Sequence, residues 1–589
     1  MKQEGSITEV LSALFGRAFE RCGVEGRFGQ VVRSQRPELG QFQCNGALAA
    51  ARLVRTNPRE LAQRAIDSLE EREAFRDVSL AGGGFINLTL TDEYLAEFIR
   101  GVEGSERLGV PPRARPLDVV IDFGGPNVAK AMHVGHLRSS IIGDCLQRLF
   151  RFTGERVTSD VHLGDWCTQM GMLLCELRRR RPDLPYFDPA AKGPFPEEPP
   201  VTISDLEELY PVASARAKAD PEEAEAARQA TLELQRGRPG YRALWQHFVD
   251  VSIRELKQDF GNLGVGFDLW LGESHSQSRL PALLERLRAG GWAVESEGAL
   301  VVPLPAEAGG AEIPPLILLK SDGAAMYGTT DLATLEERVE NGAEAILYVV
   351  DQRQGLHFQQ VFQAARLTGI AGRASLEHVA FGTVNGPDGK PFKTRAGGVM
   401  KLQDLLALAV DEVEKRMAEA GVAQGYPEEE RRAVAKKVGV AAVKFADLSN
   451  HRLSNYIFDL EKFTRFEGKT GPYLLYAAVR IKSILRNVEQ RGFGGGPILP
   501  PTDPEKELML LLAQFPDAVS AAYEERAPNF LCEHVYAVAQ AFSRFYQQCH
   551  ILSEADEARR GSWISLAKLT LRQIELVLSL LGIEVPERM

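Results

Sequence analysis

Two textures of apolar spacing run along the chain, and one gives way to the other near residue 113. In the opening stretch Val10, Leu11, Leu14, Phe15, Ala18 and Phe19 recur at three- and four-residue intervals, which predicts an amphipathic helix. NPRELAQRAIDSLE predicts another, with Asn57 as cap, Pro58 at the first helical position and Glu60 three residues after the cap. VSLAGGGFINLTL alternates like a strand around a glycine cluster, and PPRARP at 111–116 reads as a linker. Residues 1–112 are expected to form a small α+β domain.

From Leu117 the run LDVVIDF is almost continuously apolar, as in a strand buried on both faces. A Gly-Pro turn, a long helix (GHLRSSIIGDCLQRLFRFTG) and the strand-like RVTSDVHLG follow. That βαβ rhythm implies a parallel sheet with its ligands at the carboxyl ends of the strands. Residues 186–240 break the rhythm, Pro-rich at first and then acidic and Ala-rich, which predicts a helical insertion near 186–260. The βα texture is expected to resume with PLILLKSDG, then AILYVVD and its helix, then EHVAFGTV and a Gly-rich loop. From about residue 425 the pattern is wholly helical. The expected domains are 1–112, 113–424 and 425–589.

Composition narrows the class. At 589 residues the chain is about four times the ~150 residues of an average domain. It is 44% apolar and 25% charged, ordinary for a globular protein and unlike a disordered or fibrous one. No run approaches the roughly 18–20 consecutive apolar residues that span a bilayer, and MKQEGSITEVLSALF does not read as a secretory signal. Seven cysteines (Cys22, Cys44, Cys145, Cys167, Cys175, Cys532, Cys549) include no CxxC pair, which argues against structural zinc and a disulfide framework and for thiols in a reducing cytosol. The net charge of −11 disfavours indiscriminate coating of nucleic acid but leaves room for local basic surfaces that hold one RNA.

Two segments carry chemistry. GGPNVAKAMHVGH (124–136) falls where the first buried strand ends and a helix begins, a place that offers free backbone N–H groups and the positive dipole end to phosphate. His133 and His136 add two imidazoles there, and Gly135 lets a flat ring approach the backbone. DGKPFKTRAGG (388–398) is a Gly-flanked loop with Lys390, Lys393 and Arg395, suited to closing over a triphosphate and neutralising charge. Alone, an HxxH pair is more often two polar residues at a helix start, and a Lys/Gly loop a solvated turn. Together in one βα domain they are specific.

HVGH resembles the "HIGH" signature of class I aminoacyl-tRNA synthetases, and GKPFKT resembles their "KMSKS" loop. With GPNVAKAMHVGHLRS, HLGDWCTQMG, MYGTTDLATL, KTRAGG and TGPYLLYAAVRI, the chain is similar to the arginyl-tRNA synthetases over essentially its full length. The resemblance implies an α/β multidomain protein: a Rossmann-type parallel-sheet catalytic core, an N-terminal α+β tRNA-binding domain and an all-helical C-terminal anticodon-binding domain. It implies arginyl-adenylate formation from L-arginine and ATP, then transfer to the 2′-hydroxyl of arginine tRNA, with tRNA needed for the first step. ATP is a substrate accompanied by Mg²⁺, with no tightly bound cofactor and no protein-held metal. A cytoplasmic monomer without membrane attachment is expected.

By the same resemblance His133, His136, Lys390, Lys393 and Lys130 are the catalytic candidates, the division of labour among the three lysines staying open, and Gly135 joins the ATP site. Asn127, Glu273, Tyr327, Asp331 and Gln354 are the arginine-binding candidates. A guanidinium is a planar fork of five donors, so carboxylates must meet it. Leaving them unpaired against citrulline costs about 2–5 kcal/mol. Arg480, Lys482, Arg486, Tyr476 and Met589 are carried over as tRNA contacts. Plainer readings suffice elsewhere: Arg178–Arg181 complement a helix C-terminus, His162 and Cys167 are not a metal pair, and Trp166 packs. The aromatic residues Tyr456, Tyr473, Tyr476, Phe542, Phe545 and Tyr546 are expected mostly in core, with one or two stacking on an unstacked anticodon base. The alternatives are a synthetase-like relative that binds tRNA or arginine without charging, and a small-molecule ligase of the same fold. The second leaves both outer domains without a purpose.

Overall fold

A computed structural model describes residues 5–305, 313–321, 323–386, 389–390 and 400–589. The chain divides into two compact units, one of 114–413 with 446–463 and the other of 1–113 with 414–445 and 464–589. In the first, LDVVIDF supplies the strand Asp118–Phe123, with Val119, Ile121 and Phe123 buried. Arg156–Asp160 pairs with it in parallel on one side and Ala345–Val349 on the other, and Ser375–His378 completes a four-stranded parallel sheet. Every residue of Ala345–Val349 is buried, as a strand inside such a sheet requires. Because the strands are parallel, the loops at 124–133, 161–165, 350–354 and 379–383 all open on one edge.

Three expectations need correction. Leu316–Leu319 does not continue the parallel sheet; it joins Val294–Ser296 and Ala299–Val302 in a separate antiparallel sheet. Its exposure alternates, Leu316 and Leu318 buried and Ile317 exposed, because only one face is covered, a difference that four apolar letters do not reveal. VSLAGGGFINLTL is two strands, Phe75–Ala81 and Phe85–Leu90, folded back antiparallel at Gly82–Gly84. The region beyond 425 is helical apart from Tyr456–Ile457, which pairs in parallel with Val384–Asn385. The insertion forms the helices Ile203–Ala219 and Pro221–Gln235. Buried Glu176 gathers Arg179 (2.9 Å), Arg180 (3.1 Å) and Arg216 (3.4 Å), so this arginine run ties helices together.

In the second unit the helix Ile7–Arg21 starts from a Ser6/Glu9 capping box and buries Leu11, Leu14, Phe15, Ala18 and Phe19. It packs by an antiparallel sheet in the order Val31–Arg33, Phe42–Cys44, Phe85–Leu90, Phe75–Ala81. Asn57 caps Pro58–Asp67 by accepting from Arg59 N–H at 2.9 Å. The segment clusters with the late helices through Thr8 Oγ1 to Asp517 (2.5 Å), Lys506 to Asp92 (2.8 Å), and Arg572 to the Glu103 and Ser105 carbonyls. Among the described residues no helix is long and apolar enough to cross a membrane.

The helix Val134–Thr153 drives Arg138 into the core of the first unit. Arg138 and Asp447 are 2% and 0% exposed, with Nε donating to Asp447 Oδ1 at 2.9 Å. Nη1 donates to the carbonyls of Gly382 (3.0 Å) and Ser454 (2.9 Å), and the guanidinium lies over the rings of Phe381 and Tyr456. Removing one partner of a buried ion pair leaves the other uncompensated, so Arg138→Leu is expected to destabilise the protein by about 3–5 kcal/mol. Adding Asp447→Leu should restore part of that loss. Urea unfolding midpoints of the two variants check this; an unchanged midpoint in the single variant contradicts it.

Candidate active site

The loop leaving Asp118–Phe123 turns through Gly124 and Gly125, both with positive φ, and reaches the helix Val134–Thr153. His133 caps that helix from an extended backbone (φ −129°, ψ 169°). Gly135 N–H donates to His133 Nδ1 at 3.0 Å, and His133 N–H donates to His136 Nδ1 at 3.1 Å, a reciprocal cap with imidazoles in both roles. A ring nitrogen that accepts an N–H carries no proton, so each proton sits on Nε2 and both Nε2–H groups are left to donate. The rings lie 4.0 Å apart, centroid to centroid. A Cβ on residue 135 would stand 2.7 Å from His133 Cε1, which is why glycine occupies that position. Burial and then the Lys130 charge hold His133 below the usual histidine range; burial and then His133 hold His136 down to about 3. Both imidazoles are neutral donors at neutral pH.

The helix amides expected to receive phosphate are already engaged. Val134 N–H donates to the Met400 carbonyl (3.1 Å), Gly135 N–H to His133 Nδ1, and His136 N–H to the His133 carbonyl (2.8 Å). The imidazole Nε2–H groups, not these amides, are the donors left open at this helix start. Lys390 is exposed, its carbonyl accepting from Gly386 N–H at 2.7 Å. Lys393 and Arg395 lie outside the described residues. The chain re-enters at Met400 directly beside the histidines: Lys401 bridges to His133, and Leu402 N–H donates to the Met132 carbonyl at 2.9 Å. Lys130 Nζ stands 4.4 Å from the centroid of Tyr210, a residue of the insertion helix Ile203–Ala219.

The arginine candidates occupy the same sheet edge. Asn127 bridges to Gly164, and a Cβ on residue 164 would come within 2.1 Å of Asn127 Oδ1, so that glycine makes room for the amide. Glu273 opens a 3-10 turn and donates its N–H to the Leu163 carbonyl at 3.0 Å. Its neighbour Ser274 is held by Asp165, whose carboxylate accepts from Ser274 N–H (3.0 Å) and Oγ (2.6 Å). Burial foremost, then the Asp331 charge, pushes Glu273 up to about 7. Tyr327 is the first residue of the helix Tyr327–Glu340, 59% exposed, and Asp331 stands one turn later on the same face. Burial, then Cys167 and Glu273, raise the Tyr327 phenol. Glu273 thus lies within electrostatic reach of both Asp331 and Tyr327. Gln354 is exposed ahead of the helix Gly355–Leu367 and shares an open cleft of about 520 Å³ with His357, Asp351 and Arg353.

Sequence reasoning passed over several groups. His357 Nε2 lies 2.5 Å from Asp331 Oδ2; a histidine three residues after Gln354 was the available signal. Asp165 sits inside the HLGDW segment but reads there as one more polar residue. His162 does not pair with Cys167; it stands with Asp122 and Asp160, with ligand atoms within 4.8 Å of one another. Arg338 Nη2 donates to both carboxylates there at 2.6 and 2.8 Å, so a resident guanidinium supplies the positive charge. Trp166 is buried against Trp245.

In the other unit Tyr476 is 43% exposed, and Arg480 lies over the Tyr546 ring at 5.2 Å. Lys482 pairs with Glu575 (3.0 Å) and Glu587 (2.9 Å), and Arg486 Nη1 donates to the Glu587 carbonyl at 3.2 Å. These two cations fasten the chain's end, with Met589 half-buried two residues on. Phe542 and Phe545 are buried, while Tyr473 and Tyr546 are only partly covered.

Comparison with known proteins converges on one family. Residues 108–460 match the class I (R) tRNA synthetase catalytic domain, 474–589 the DALR anticodon binding domain, and 4–90 the arginyl tRNA synthetase N-terminal domain. The arginine–tRNA ligase of Maricaulis maris is 53% identical over 586 residues, covering 99% of this chain and all of that protein; that of Hyphomonas neptunium is 52% identical with the same coverage. The crystal structure of arginyl-tRNA synthetase from Plasmodium falciparum superposes with a TM-score of 0.82 at 24% identity over the whole of both chains. The Thermus thermophilus arginyl-tRNA synthetase gives 0.81 at 25% identity over 99% of this chain and all of that one. With a parallel sheet presenting two neutral histidines and two coupled carboxylates on one edge, and with full-length likeness in sequence, the chain belongs to the arginyl-tRNA synthetases, ATP-dependent class I aminoacyl-tRNA ligases.

Proposed function

We propose that the enzyme charges arginine tRNA at the carboxyl edge of the parallel sheet. The arginine carboxylate attacks the α-phosphorus of ATP, the bond to the bridging oxygen breaks, and pyrophosphate leaves. The 2′-hydroxyl of the tRNA's terminal ribose then attacks the carbonyl of the adenylate; AMP departs with the electron pair and the hydroxyl proton passes to solvent. The observation that carries this reading is the pairing, on one sheet edge, of coupled Glu273 and Asp331 with two Nε2–H donors. The first suits a planar cation and the second a phosphate.

In this reading His133 and His136 donate to phosphate oxygens as neutral groups, so they need gain or lose no proton during the reaction. Lys390 and Lys393 neutralise the charge that develops, and Mg²⁺ arrives with ATP. Burial keeps the histidines neutral, and the charge of Lys130, resting on Tyr210, adds to that effect. Glu273, Asp331 and Tyr327 receive the guanidinium, while Asn127 and Gln354 hold the α-amino and carboxylate groups. Residues 1–112, 113–424 and 425–589 act as tRNA-binding, catalytic and anticodon-binding domains of a cytoplasmic monomer. Tyr476 offers an open ring for base stacking, and Lys482 and Arg486 shape the tail that carries Met589.

ATP–pyrophosphate exchange is expected to require both arginine and tRNA and to be silent with lysine or citrulline. His136→Ala should lower its rate about 10²–10³-fold while leaving the arginine KM within a few-fold. Silence of the unaltered protein in every lane, with tRNA binding intact, favours the non-charging alternative. Arginine binding should also depend on pH. A carboxyl with its pKa near 7 is protonated below neutrality and cannot pair with a cation, so the arginine KM is expected to fall about tenfold from pH 6 to pH 8. The maximal rate should change less than the KM, because burial holds both histidines below the usual histidine range. A pH-independent arginine KM, measured by exchange at saturating ATP and tRNA, contradicts the role given to Glu273.

A further inference from the structure

His357 has no part in the scheme so far. It lies in the first turn of the helix Gly355–Leu367, and its Nε2 meets Asp331 Oδ2 at 2.5 Å. Ring and carboxylate are both half-buried, and no other described group hydrogen-bonds to Asp331, so the second carboxylate oxygen has no partner. The ring is fixed from behind: it packs edge-on against Phe358, which is buried and stacks on His378. An aspartate near the start of a helix otherwise rotates freely about its last torsion. A planar guanidinium rewards a carboxylate whose plane is already set.

Charge makes a second demand. Two neighbouring carboxylates resist being ionised together, and Glu273 already feels Asp331. We propose that His357 is a positioning residue for arginine selection: it holds the Asp331 carboxylate in one plane with an oxygen open to the guanidinium, and whenever its ring is protonated it offsets the charge of that carboxylate beside Glu273. The inference rests on the reading that these two acids receive the guanidinium.

The surroundings agree with that charge balance. The hydrogen bond to Asp331, ahead of the opposing effect of burial, raises His357 above the ordinary histidine range. Tyr327 faces the acids from the same helix as Asp331, and Tyr348 feels Asp331 from the strand Ala345–Val349. His162 and Asp165 lie within reach of Glu273, and Cys167 lies within reach of both Glu273 and Tyr327. Arg353 at the cleft rim is spent on Asp351 at 2.7 Å. His357 is therefore the described side chain that hydrogen-bonds to the Asp331 carboxylate.

The test compares His357→Leu, His357→Gln and Asp331→Asn in the full-length enzyme, by exchange with tRNA between pH 6 and pH 9. His357→Leu removes donor and charge; it is expected to raise the arginine KM about tenfold at pH 8 and to leave the ATP KM within about twofold. His357→Gln keeps an N–H donor without the charge. Its arginine KM should stay within about threefold of the unaltered enzyme at pH 8.5, while the pH at which KM begins to climb moves upward, because two carboxylates now share a proton. An unmoved arginine KM and pH profile in both variants, with Asp331→Asn strongly impaired, overturns the proposal alone. Equal loss of arginine and ATP affinity in His357→Leu, with no rescue by His357→Gln, also overturns it in favour of a merely structural role. An unimpaired Asp331→Asn removes the reading of the pocket itself, and the proposal with it.

Discussion

Arg138 sits where the base of the lysine segment is tied to the histidine helix. A guanidinium 2% exposed is tolerable only with its charge and donors met, and the partners come from separate stretches of chain: the Asp447 carboxylate and the carbonyls of Gly382 and Ser454. Arg138 lies two residues after His136, whereas Gly382 and Ser454 immediately precede the paired strands Val384–Asn385 and Tyr456–Ile457, the first of which leads to Lys390. The far end of the lysine segment is tied to the same motif, since Met400 and Lys401 run beside Met132–His133. Both ends of the 386–400 stretch are therefore measured from the histidine helix. Shifting the base of that stretch breaks hydrogen bonds to a buried cation, an expensive way to move.

The architecture was legible wherever apolar periodicity and environment coincide. LDVVIDF and AILYVVD read as buried strands because both faces are covered, and the opening helix read true because its apolar stripe matches its buried face. Legibility failed where a short run is consistent with more than one partner. The letters LILL do not say which sheet they join, and VSLAGGGFINLTL hides its reversal in three glycines. Tyr456–Ile457 is a strand only because Val384–Asn385, some seventy residues earlier, comes alongside it. In the site, the histidine pair was visible as a motif, but its amides were misjudged because Met400, which takes one of them, is remote in sequence. Lys482 reads from sequence as a candidate tRNA contact, and nothing local shows that Glu575 and Glu587 pair with it. Long-range pairing of this kind leaves no local mark.

The first unit solves the same chemical problem twice, in a closed form and an open one. Arg338 is a guanidinium set permanently between Asp122 and Asp160, with the Tyr348 ring beneath it at 5.4 Å. Two turns earlier on the same helix Asp331 offers a carboxylate beside Glu273, with Tyr327 exposed at the helix start. The closed set has its cation built in and is buried. Its carboxylates are already satisfied and cannot draw an incoming guanidinium further down the helix. The open set lacks a covalently attached guanidinium, and burial alone would leave its two acids sharing a proton. In the proposed reading its selectivity follows from that incompleteness. A neutral analogue brings no charge to offset a second ionised acid, and lysine brings a point charge where a planar fork is needed, so neither completes the set as arginine does. Discrimination then depends on Glu273 having, among the described residues, no cation hydrogen-bonded to it until the substrate arrives.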